Sequence, residues 1–328
     1  MGMRILSWGT ALPDRVVTNH DLEKTLDTSD EWIVERSGIR ERRIGESTAE
    51  LAIEAGRRAI AMANVPPASI DLLILATTTP DQAIPATSAH VHHSLALGGG
   101  AFDLNAACSG FVYGLVTAKA MLDGGANRIL LIGAETLSRV TNWEDRNTAI
   151  LFGDGGGALL LERTADEGQL LASDLGVDGS ARDILFAEVG GTIEMDGREV
   201  FKRAVRAMVD SASRTLDRAK VRPDEIALIV PHQANIRIIQ AACDRLGIAQ
   251  SRAALVLDRT GNTSSASIPL ALVDAIEKGR LRDGDLVLLT GFGAGMTWGS
   301  ALLRWQDLGS NRGFTPIGAD TKAEDAHG

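Results

Sequence analysis

The sequence predicts an α/β protein built from stacked layers. Apolar residues make up 45% of the chain and aromatic residues only 4%, so the core must consist of Ala, Leu, Ile and Val. The 35 glycines allow close packing and sharp turns. Short apolar runs of strand length, such as LLILA and ILLIG, separate stretches with helical spacing. The same kinds of segment also recur in the two halves of the chain, which is the third indication.

Three segments of the first half recur in the second half at an offset of about 156 residues. The matched pairs are 67–74 with 223–230, 114–125 with 268–279, and 129–135 with 286–292. The alternative explanation is that any α/β chain alternates short strands with helices. A duplication predicts halves at 1–165 and 166–306. It also predicts two equivalent loops facing each other across a pseudo-two-fold axis, with the counterpart of Cys108 near residues 262 to 264.

Local signals predict two helices and a tail. STAE at 47–50 is a capping box that opens a helix. From Phe201 onward, apolar residues follow helical spacing at 205, 208, 209, 212 and 216. Residues 307–328 are polar and rich in glycine, so we expect a flexible tail there.

Charge and cysteine usage argue against several classes of protein. A net charge of −10 argues against general nucleic-acid binding, which needs a basic surface. Two cysteines cannot form a disulfide framework, so we expect a cytoplasmic protein. No apolar run approaches the roughly 20 residues that span a bilayer, and we therefore expect no association with a membrane.

The histidine cluster at His90, His92 and His93 is a candidate metal site, because His90 and His93 are neighbours on a helix. No carboxylate and no H-E-x-x-H motif accompanies it. A polar helix face or a subunit contact is the preferred interpretation, and we predict no metal.

Cys108 is the candidate nucleophile. It lies in LNAACSGFVYG, which predicts the start of a helix, and the free N–H groups at a helix start favour a thiolate. A free cysteine has a pKa near about 8.5, so a catalytic cysteine needs such help. The alternative is a small core residue, which is the interpretation we prefer for Cys243 in the helical segment QAACDRLG.

His232 and Asn262 are the candidate partners of Cys108. His232 follows Pro231 at the end of a buried strand, and Asn262 lies in the loop RTGNTSSAS. Ligands in α/β sheets gather beyond strand ends, so the three side chains can converge there. The order Cys, His, Asn is also that of papain-like proteases, but the signature around their nucleophile is absent.

Several motifs together resemble β-ketoacyl-acyl carrier protein synthase III, the initiating condensing enzyme of type II fatty acid synthesis. They are TSDEWIVERSGIRERR, NAACSGF, RNTAILFGDG, EVFKRAV, VPHQAN, GNTSSAS and GFGAGMTWGSALLRW. The resemblance covers about residues 4 to 305. It implies the thiolase fold, with duplicated halves in a five-layered αβαβα sandwich, and a homodimer.

The resemblance also implies the roles of the candidate residues. Cys108 takes an acyl group from acyl-CoA, and His232 and Asn262 then act on malonyl-acyl carrier protein. The backbone N–H groups of Cys108 and Ala294 form the oxyanion hole. No metal or redox cofactor is implied, since acyl-CoA is a substrate. Elongating synthases have a second histidine where Asn262 stands.

Binding of the two carriers is implied by the same matching. The residues matched to CoA binding are Trp32, Arg36, Arg146, Phe201 and Asn235. Trp32 and Arg146 are expected to enclose the adenine, with Arg36 near the phosphates. Taken alone, these residues can also be interpreted as helix packing and solvated charges.

Acyl carrier protein is acidic, and the chain offers a basic segment to meet it. Eight basic residues stand against three acidic ones between residues 198 and 222. The residues matched to docking are Lys202, Arg237 and Arg245, while Asp244 departs from the family pattern. A merely solvated helix face is the alternative.

Ile84 is a second departure from the family pattern. In relatives this loop reaches into the acyl pocket of the partner subunit, often with an aromatic residue. A smaller aliphatic side chain is expected to admit a longer or branched primer.

Two other functions stay open on sequence grounds. One is a specialised relative that transfers acyl groups to another acceptor or primes a polyketide pathway. The other is an inactive partner subunit, which the intact set Cys108, His232 and Asn262 argues against.

Overall fold

Two β-sheets form the framework of the protein in a computed structural model that describes residues 1–45 and 47–307. The strands, in chain order, are β1 Gly2–Ala11, β2 Val16–Thr18, β3 Glu41–Arg43, β4 Leu72–Ala76, β5 Gly100–Leu104, β6 Arg128–Thr136, β7 Asp154–Thr164, β8 Leu170–Val177, β9 Leu185–Phe186, β10 Glu194–Met195, β11 Ile226–Pro231, β12 Leu286–Gly293 and β13 Thr297–Arg304.

The α-helices lie between these strands. They are α1 Asn19–Leu22, α2 Asp30–Ser37, α3 Thr48–Ala63, α4 Thr87–Ser94, α5 Gly110–Asp123, α6 Arg146–Ala149, α7 Gly197–Ala219, α8 Ile236–Leu246, α9 Leu257–Thr260 and α10 Ser267–Glu277. Short 3-10 turns occupy Pro67–Ser69, Ala107–Ser109, Leu137–Val140, Gly179–Ile184, Pro223–Glu225, Gln250–Arg252, Ser264–Ala266 and Ala294–Met296.

Each large sheet comes from one part of the chain. The first has the strand order β1-β7-β6-β4-β5, with β4 parallel to both β5 and β6. The second has the order β11-β12-β13-β8, with β11 parallel to β12. Both sheets therefore place the C-terminal ends of parallel strands at one edge, where loops can form a site.

The two sheets stack in five layers. Helix α3 packs on the outer face of the first sheet, and α7 packs on the outer face of the second. Helices α5 and α10 lie between the sheets and share one apolar core with both of them. The predicted αβαβα sandwich is confirmed.

Corresponding elements recur in the two sheets. The turns Pro67–Ser69 and Pro223–Glu225 each precede a parallel strand, and the turns Ala107–Ser109 and Ser264–Ala266 each precede a central helix. The second pair aligns Cys108 with Ser265, one residue beyond the predicted stretch 262 to 264. The turn starts after Asn262 and Thr263, which explains the difference.

The two helices predicted from local signals are present. Ser47 caps α3 in a capping box with Glu50, and α7 spans the segment that contains Phe201. The boundary near residue 165 stays a prediction, and the predicted tail lies outside the described residues from 308 onward. Within the described part of the chain, no helix combines the length and hydropathy needed to cross a bilayer.

Arg42 ties the N-terminal loops to the segment that leads into β7. Its side chain is completely buried. The guanidinium donates to Val17 O at 3.2 Å, to Asn19 Oδ1 at 2.9 Å and to Ile150 O at 2.7 Å. Because these acceptors are buried, they depend on this one side chain for their hydrogen bonds.

Replacing Arg42 by Met should therefore lower the free energy of unfolding by about 3 kcal/mol, since buried acceptors lose their donors. Urea unfolding of Arg42→Met measures the loss. Arg40→Met is the matched control, because Arg40 is exposed two residues earlier. Equal stability of the two variants would contradict the role given to Arg42.

Candidate active site

One cavity of about 1090 Å³ contains the predicted catalytic residues. Cys108, His232 and Asn262 all line it. They reach it from three elements: the turn before α5, the end of β11, and the loop before α10. The sequence prediction that these side chains converge is consistent with this arrangement.

Cys108 lies at the centre of the turn Ala107–Ser109. Ala107 has a left-handed backbone with φ of 49°, which turns the chain sharply before the sulfur. Ser109 then fixes the turn, because its hydroxyl contacts Ala106 O at 2.7 Å and Thr297 Oγ1 at 2.9 Å. Contacts from both halves of the chain therefore fix the turn that contains the nucleophile.

The protonation of Cys108 differs from the expectation. We expected the helix start to favour a thiolate, but burial raises the pKa of the Cys108 thiol to about 12. Helix α5 begins at Gly110, two positions after the sulfur, and Glu135 adds a negative charge nearby. Desolvation of the charged form therefore outweighs the helix effect, and the resting group is a thiol.

His232 is almost completely enclosed, with 1% of its surface exposed. Its Nδ1 lies 2.7 Å from Ser267 Oγ, and its ring meets Phe292 edge to face with centroids 5.5 Å apart. Burial lowers the pKa of His232 to about 3, so the imidazole is neutral at physiological pH. A hydroxyl that donates to Nδ1 places the single ring proton on Nε2.

Asn262 is fixed by its backbone and by one side-chain atom. Its N–H donates to Leu151 O at 2.8 Å, and its carbonyl accepts from Gly153 N at 3.0 Å. Its Oδ1 accepts from Ser264 N at 2.9 Å. The side-chain Nδ2 has no hydrogen-bond acceptor among residues 1–45 and 47–307, and it can donate to a ligand in the cavity.

The segment after β12 lies against the nucleophile. A Cβ added to Gly293 would stand 2.5 Å from Cys108 N and 2.7 Å from Ala107 Cβ. Such distances leave no room for any side chain, so Gly293 lets the two backbones approach. Ala294, the next residue, lines the cavity. This contact places the residue before Ala294 against the backbone of Cys108, and the oxyanion hole itself stays a prediction.

The indole of Trp32 lines the cavity, and the guanidinium groups of two arginines lie over its ring. Arg36 Cζ lies 4.3 Å from the ring centroid, and Arg146 Cζ lies 5.1 Å from it. Arg36 also lines the cavity, whereas Arg146 donates to Asp27 O at 2.8 Å. A flat base entering here has one aromatic face and two planar cations available.

Asn235 and Phe201 also line the cavity. Asn235 caps α8 with its Oδ1, which accepts from Arg237 N at 2.8 Å, and its Nδ2 donates to Arg36 O at 2.8 Å. The amide is therefore occupied by protein atoms in this structure. Arg237 lies over the Phe201 ring at 5.9 Å from the centroid and borders the same opening.

The remaining predicted residues lie outside the cavity lining. Lys202 and Arg245 are exposed, and Lys202 stands 3.9 Å from Glu199. Several other basic residues of the segment 198–222 form ion pairs with nearby carboxylates: Arg203, Arg206, Arg214, Arg218 and Arg222. Fewer cations of this segment are therefore free to bind an acidic partner than its composition indicates. Ile84 is 88% exposed and does not line the cavity of its own chain.

The histidine cluster lies on α4. His90 and His93 are exposed, and His92 Nε2 lies 2.7 Å from Gly99 O. In the described part of the chain, no three His, Cys, Asp or Glu side chains are placed to hold a metal ion. Cys243 lies on α8 and is fully buried in an apolar cluster, which agrees with its interpretation as a core residue.

Four residues at the site carry functions that the sequence analysis did not assign. They are Glu135, Ser264, Ser267 and Gly293. Glu135 ends the repeat segment 129–135, and the other three lie within the quoted motifs GNTSSAS and GFGAGMTWGSALLRW. Two features of the sequence could have indicated these residues. One is a charged residue at the end of an otherwise apolar strand, and the other is the group of hydroxyl residues next to Asn262.

Comparison with known proteins identifies one group of relatives. Residues 102–179 match the family model described as 3-oxoacyl-[acyl-carrier-protein (ACP)] synthase III, and residues 216–305 match the model of its C-terminal part. The β-ketoacyl-[acyl-carrier-protein] synthase III of Roseiflexus castenholzii is 49% identical over 321 residues, with 92% of this chain and 97% of the relative covered. The enzyme of the same name from Aquifex aeolicus is 47% identical over 309 residues, with 93% and 100% covered.

Solved structures give the same result. The crystal structure of 3-oxoacyl-[acyl-carrier-protein] synthase III from Aquifex aeolicus superposes with a TM-score of 0.91 at 46% identity, covering 93% of this chain and 100% of that one. The priming β-ketosynthase of the R1128 polyketide pathway superposes with a TM-score of 0.89 at 34% identity, covering 94% and 97%.

The buried neutral imidazole makes the stability of the protein sensitive to acid. Burial lowers the pKa of His232 to about 3, whereas an unfolded histidine titrates near about 6.5. Below that pH the unfolded state binds a proton that the native state does not, so stability falls as the pH falls.

Between about pH 7.5 and pH 5, the wild type should lose about 2 kcal/mol more free energy of unfolding than His232→Gln. Denaturant unfolding at each pH measures the difference. His90→Gln removes an exposed histidine and should follow the wild-type curve. Parallel curves for the wild type and His232→Gln would show that His232 is not buried in its neutral form.

Proposed function

The chain belongs to the 3-oxoacyl-[acyl-carrier-protein] synthase III family, and on that premise we propose how its residues carry out the reaction. The reaction is the acyl-transferring condensation that initiates fatty acid synthesis. An acyl group passes from acyl-CoA to the enzyme and is then joined to the two-carbon unit that malonyl-acyl carrier protein supplies. Cys108, His232 and Asn262 divide the two half-reactions.

Cys108 performs the first half-reaction. Its sulfur attacks the thioester carbonyl of acyl-CoA, a bond forms between sulfur and the acyl carbon, and the bond to the CoA sulfur breaks. The thiol proton leaves Cys108, and the departing CoA sulfur takes up a proton, so charge balances. The backbone N–H groups of Cys108 and Ala294 donate to the oxyanion, and the close approach at Gly293 supports this arrangement.

His232 and Asn262 perform the second half-reaction. Loss of CO₂ from the malonyl group leaves its electron pair as an enolate, with negative charge on the thioester oxygen. His232 Nε2–H and Asn262 Nδ2–H donate to that oxygen. The enolate carbon then attacks the acyl group on Cys108, and the sulfur leaves and is protonated again.

One observation carries this assignment. Ser267 engages His232 Nδ1, and the Ser264 backbone engages Asn262 Oδ1, so each side chain keeps one N–H group for the cavity. A neutral imidazole donates without gaining or losing a proton, which suits stabilisation of an enolate. None of these steps needs a metal or a redox cofactor, because acyl-CoA is consumed as a substrate.

The opening of the cavity suits the carrier ends of the substrates. Trp32 with Arg36 and Arg146 offers a stacking site for the adenine of CoA, and Arg36 also reaches toward its phosphates. Phe201 and Asn235 border the path of the pantetheine arm. These roles follow from the family match and from the position of each side chain.

We assign the docking of acyl carrier protein to Arg237 at that opening and to Lys202 and Arg245 outside it. Arg237 and Arg245 form no ion pair with described residues, and the exposed Lys202 has only Glu199 nearby, at 3.9 Å. An acidic carrier meets positive charge here, although the chain as a whole has a net charge of −10.

We assign a homodimer and a cytoplasmic location to the protein by analogy with the family. Strand β5 is an edge strand of the first sheet, and the exposed Ile84 precedes the helix α4 that leads toward it. In such a dimer, Ile84 would close the acyl pocket of the partner subunit, and its small side chain would admit a longer or branched primer. Initial rates with acetyl-, isobutyryl- and octanoyl-CoA test this, and a strict acetyl preference would contradict it.

A second candidate function can be tested in the same assay. The 34% identity to the priming β-ketosynthase of the R1128 polyketide pathway favours a related priming role, although the synthase III relatives are more similar. Both functions use acyl-CoA and Cys108. They differ in the acceptor that finally carries the product.

Labelled acetyl-CoA tests the division of labour. The wild type should retain label on Cys108 and extend it when malonyl-acyl carrier protein is added, whereas Cys108→Ala should retain none. Asn262→Ala should still take up label but decarboxylate about 10²- to 10³-fold more slowly, because one enolate donor is lost. Cys243→Ala, which removes the buried cysteine, is the control and should label normally.

Three outcomes of that experiment would contradict the assignment. Equal loss of both half-reactions in Asn262→Ala would refute the separate roles. Label that is never extended by the wild type would favour a different acceptor. Absence of label on the wild type with any acyl-CoA would favour an inactive subunit.

Gly293→Ala tests the oxyanion hole. The added Cβ would lie 2.5 Å from Cys108 N, so the two backbones must separate. We expect acylation of Cys108 to slow by about 10²-fold or more, because one donor moves away from the oxyanion. Gly179→Ala is the matched control, since its Cβ would meet no atom within 4 Å. Similar acylation rates in the two variants would contradict the predicted oxyanion hole.

A further inference from the structure

Glu135 is a buried carboxylate beside the catalytic cysteine, and the reaction as described does not use it. It is the penultimate residue of β6 and is completely buried. No Lys, Arg or His among residues 1–45 and 47–307 forms an ion pair with it. A buried charge without a counter-ion is costly unless hydrogen bonds satisfy it.

The hydrogen bonds to Glu135 come from both halves of the chain. From the first half, Thr78 N and Thr79 N donate to Oε2 at 3.0 and 3.1 Å, and Thr79 Oγ1 donates at 2.6 Å. From the second half, Ser264 Oγ and Ser265 Oγ each donate to Oε1 at 2.9 Å. The carboxylate thus fastens the turn before α10 to the end of β4.

Ser264 connects this carboxylate to the nucleophile. Ser264 lines the cavity together with Cys108, and its hydroxyl donates to Glu135 Oε1 at 2.9 Å. A hydroxyl has one hydrogen, and an ionised carboxylate can only accept. While Ser264 donates to Glu135, its one hydrogen is not available to the Cys108 sulfur, so the thiolate lacks this donor.

Ser264 also belongs to the turn that directs Asn262. Its backbone N–H donates to Asn262 Oδ1, and its φ of 47° is left-handed, a conformation that needs support in a residue with a side chain. The bond from Ser264 Oγ to Glu135 supplies that support.

We propose that Glu135 is a positioning residue for the condensation: it holds the Ser264 hydroxyl hydrogen away from the Cys108 sulfur at rest and anchors the turn that aims Asn262. The inference rests on the proposed function for its effect on turnover. The state of the sulfur itself can be measured without any substrate. Burial raises the pKa of the Cys108 thiol most, the Glu135 charge adds to the rise, and a hydrogen bond donated by Ser264 opposes it.

The test is Glu135→Gln, which keeps the size of the side chain and removes its charge. An amide nitrogen facing Ser264 donates to its oxygen, so the hydroxyl hydrogen turns to the Cys108 sulfur. Both changes favour the thiolate. Alkylation of Cys108 by iodoacetamide between about pH 6.5 and pH 9.5 should become about tenfold faster or more at each pH, the effect of one pKa unit.

Condensation should change in the opposite direction. We expect kcat with malonyl-acyl carrier protein to fall about tenfold or more, because the Asn262 amide loses its fixed position, while KM for acyl-CoA stays close to that of the wild type. Cys243 is the internal control for a general opening of the structure, since it is buried and should stay unmodified. Alkylation of Cys243 together with Cys108 in Glu135→Gln would contradict the inference, because general opening would then explain the faster reaction.

Ser264→Ala and Ser265→Ala form a matched pair of backgrounds in which Glu135→Gln can be compared. Both serines donate to Glu135 Oε1, but Ser264 alone of the two lines the cavity with Cys108. Ser264→Ala removes the hydroxyl that would turn to the sulfur, so Glu135→Gln should accelerate alkylation less in the double variant with Ser264→Ala than on its own, whereas Ser265→Ala should leave that acceleration unchanged. Ser265→Ala should alkylate like the wild type.

Other titratable or charged side chains line the same cavity and are unchanged in these variants: His232, Arg36, Asp145, Asp196, Arg198 and Arg237. Unchanged alkylation in Glu135→Gln, or equal acceleration by Glu135→Gln in the Ser264→Ala and Ser265→Ala backgrounds, would overturn the inference while leaving the proposed function intact. Failure of the wild type to condense acyl-CoA with malonyl-acyl carrier protein would instead refute the proposed function.

Discussion

The site depends on the meeting of two equivalent turns, one from each half of the chain. In the first, Ala107 N donates to Asn105 Oδ1 at 3.1 Å, and in the second, Ser264 N donates to Asn262 Oδ1 at 2.9 Å. Each turn then passes through a left-handed residue and enters a helix between the sheets. The duplicated fold therefore brings two similar asparagine turns together at the ends of its parallel strands.

The catalytic side chains lie at positions where the two turns differ in sequence. The first turn carries Cys108 at the position that Ser265 occupies in the second, so only one half supplies a nucleophile. The second turn directs Asn262 into the cavity, where His232 arrives from the end of β11. A symmetric framework thus holds an asymmetric set of side chains, and neither half contains a complete site.

Burial determines the protonation states in this site. It raises the pKa of the Cys108 thiol to about 12 and lowers the pKa of His232 to about 3, so both groups are neutral at rest. A neutral imidazole suits a hydrogen-bond donor to an enolate better than it suits a base. Negative charge is stabilised only when it develops on a substrate oxygen, where fixed N–H groups await it.

Much of this architecture could be predicted from the sequence, because apolar periodicity and repeated segments report the layers directly. The convergence of Cys108, His232 and Asn262 followed from their places after strands and before helices. The protonation of Cys108 could not be predicted in this way, since desolvation depends on packing from distant segments. The role of Glu135 was equally hidden, because its hydrogen-bond partners lie far along the chain at Thr77–Thr79 and at Ser264.

The most direct test of the account is a crystal structure with a malonyl thioester analogue that cannot lose CO₂. The account predicts that His232 Nε2 and Asn262 Nδ2 both lie within about 3 Å of the thioester oxygen, with the Cys108 sulfur facing the carbon that becomes the nucleophile. A thioester oxygen bonded to neither side chain, or a malonyl group held away from Cys108, would contradict it.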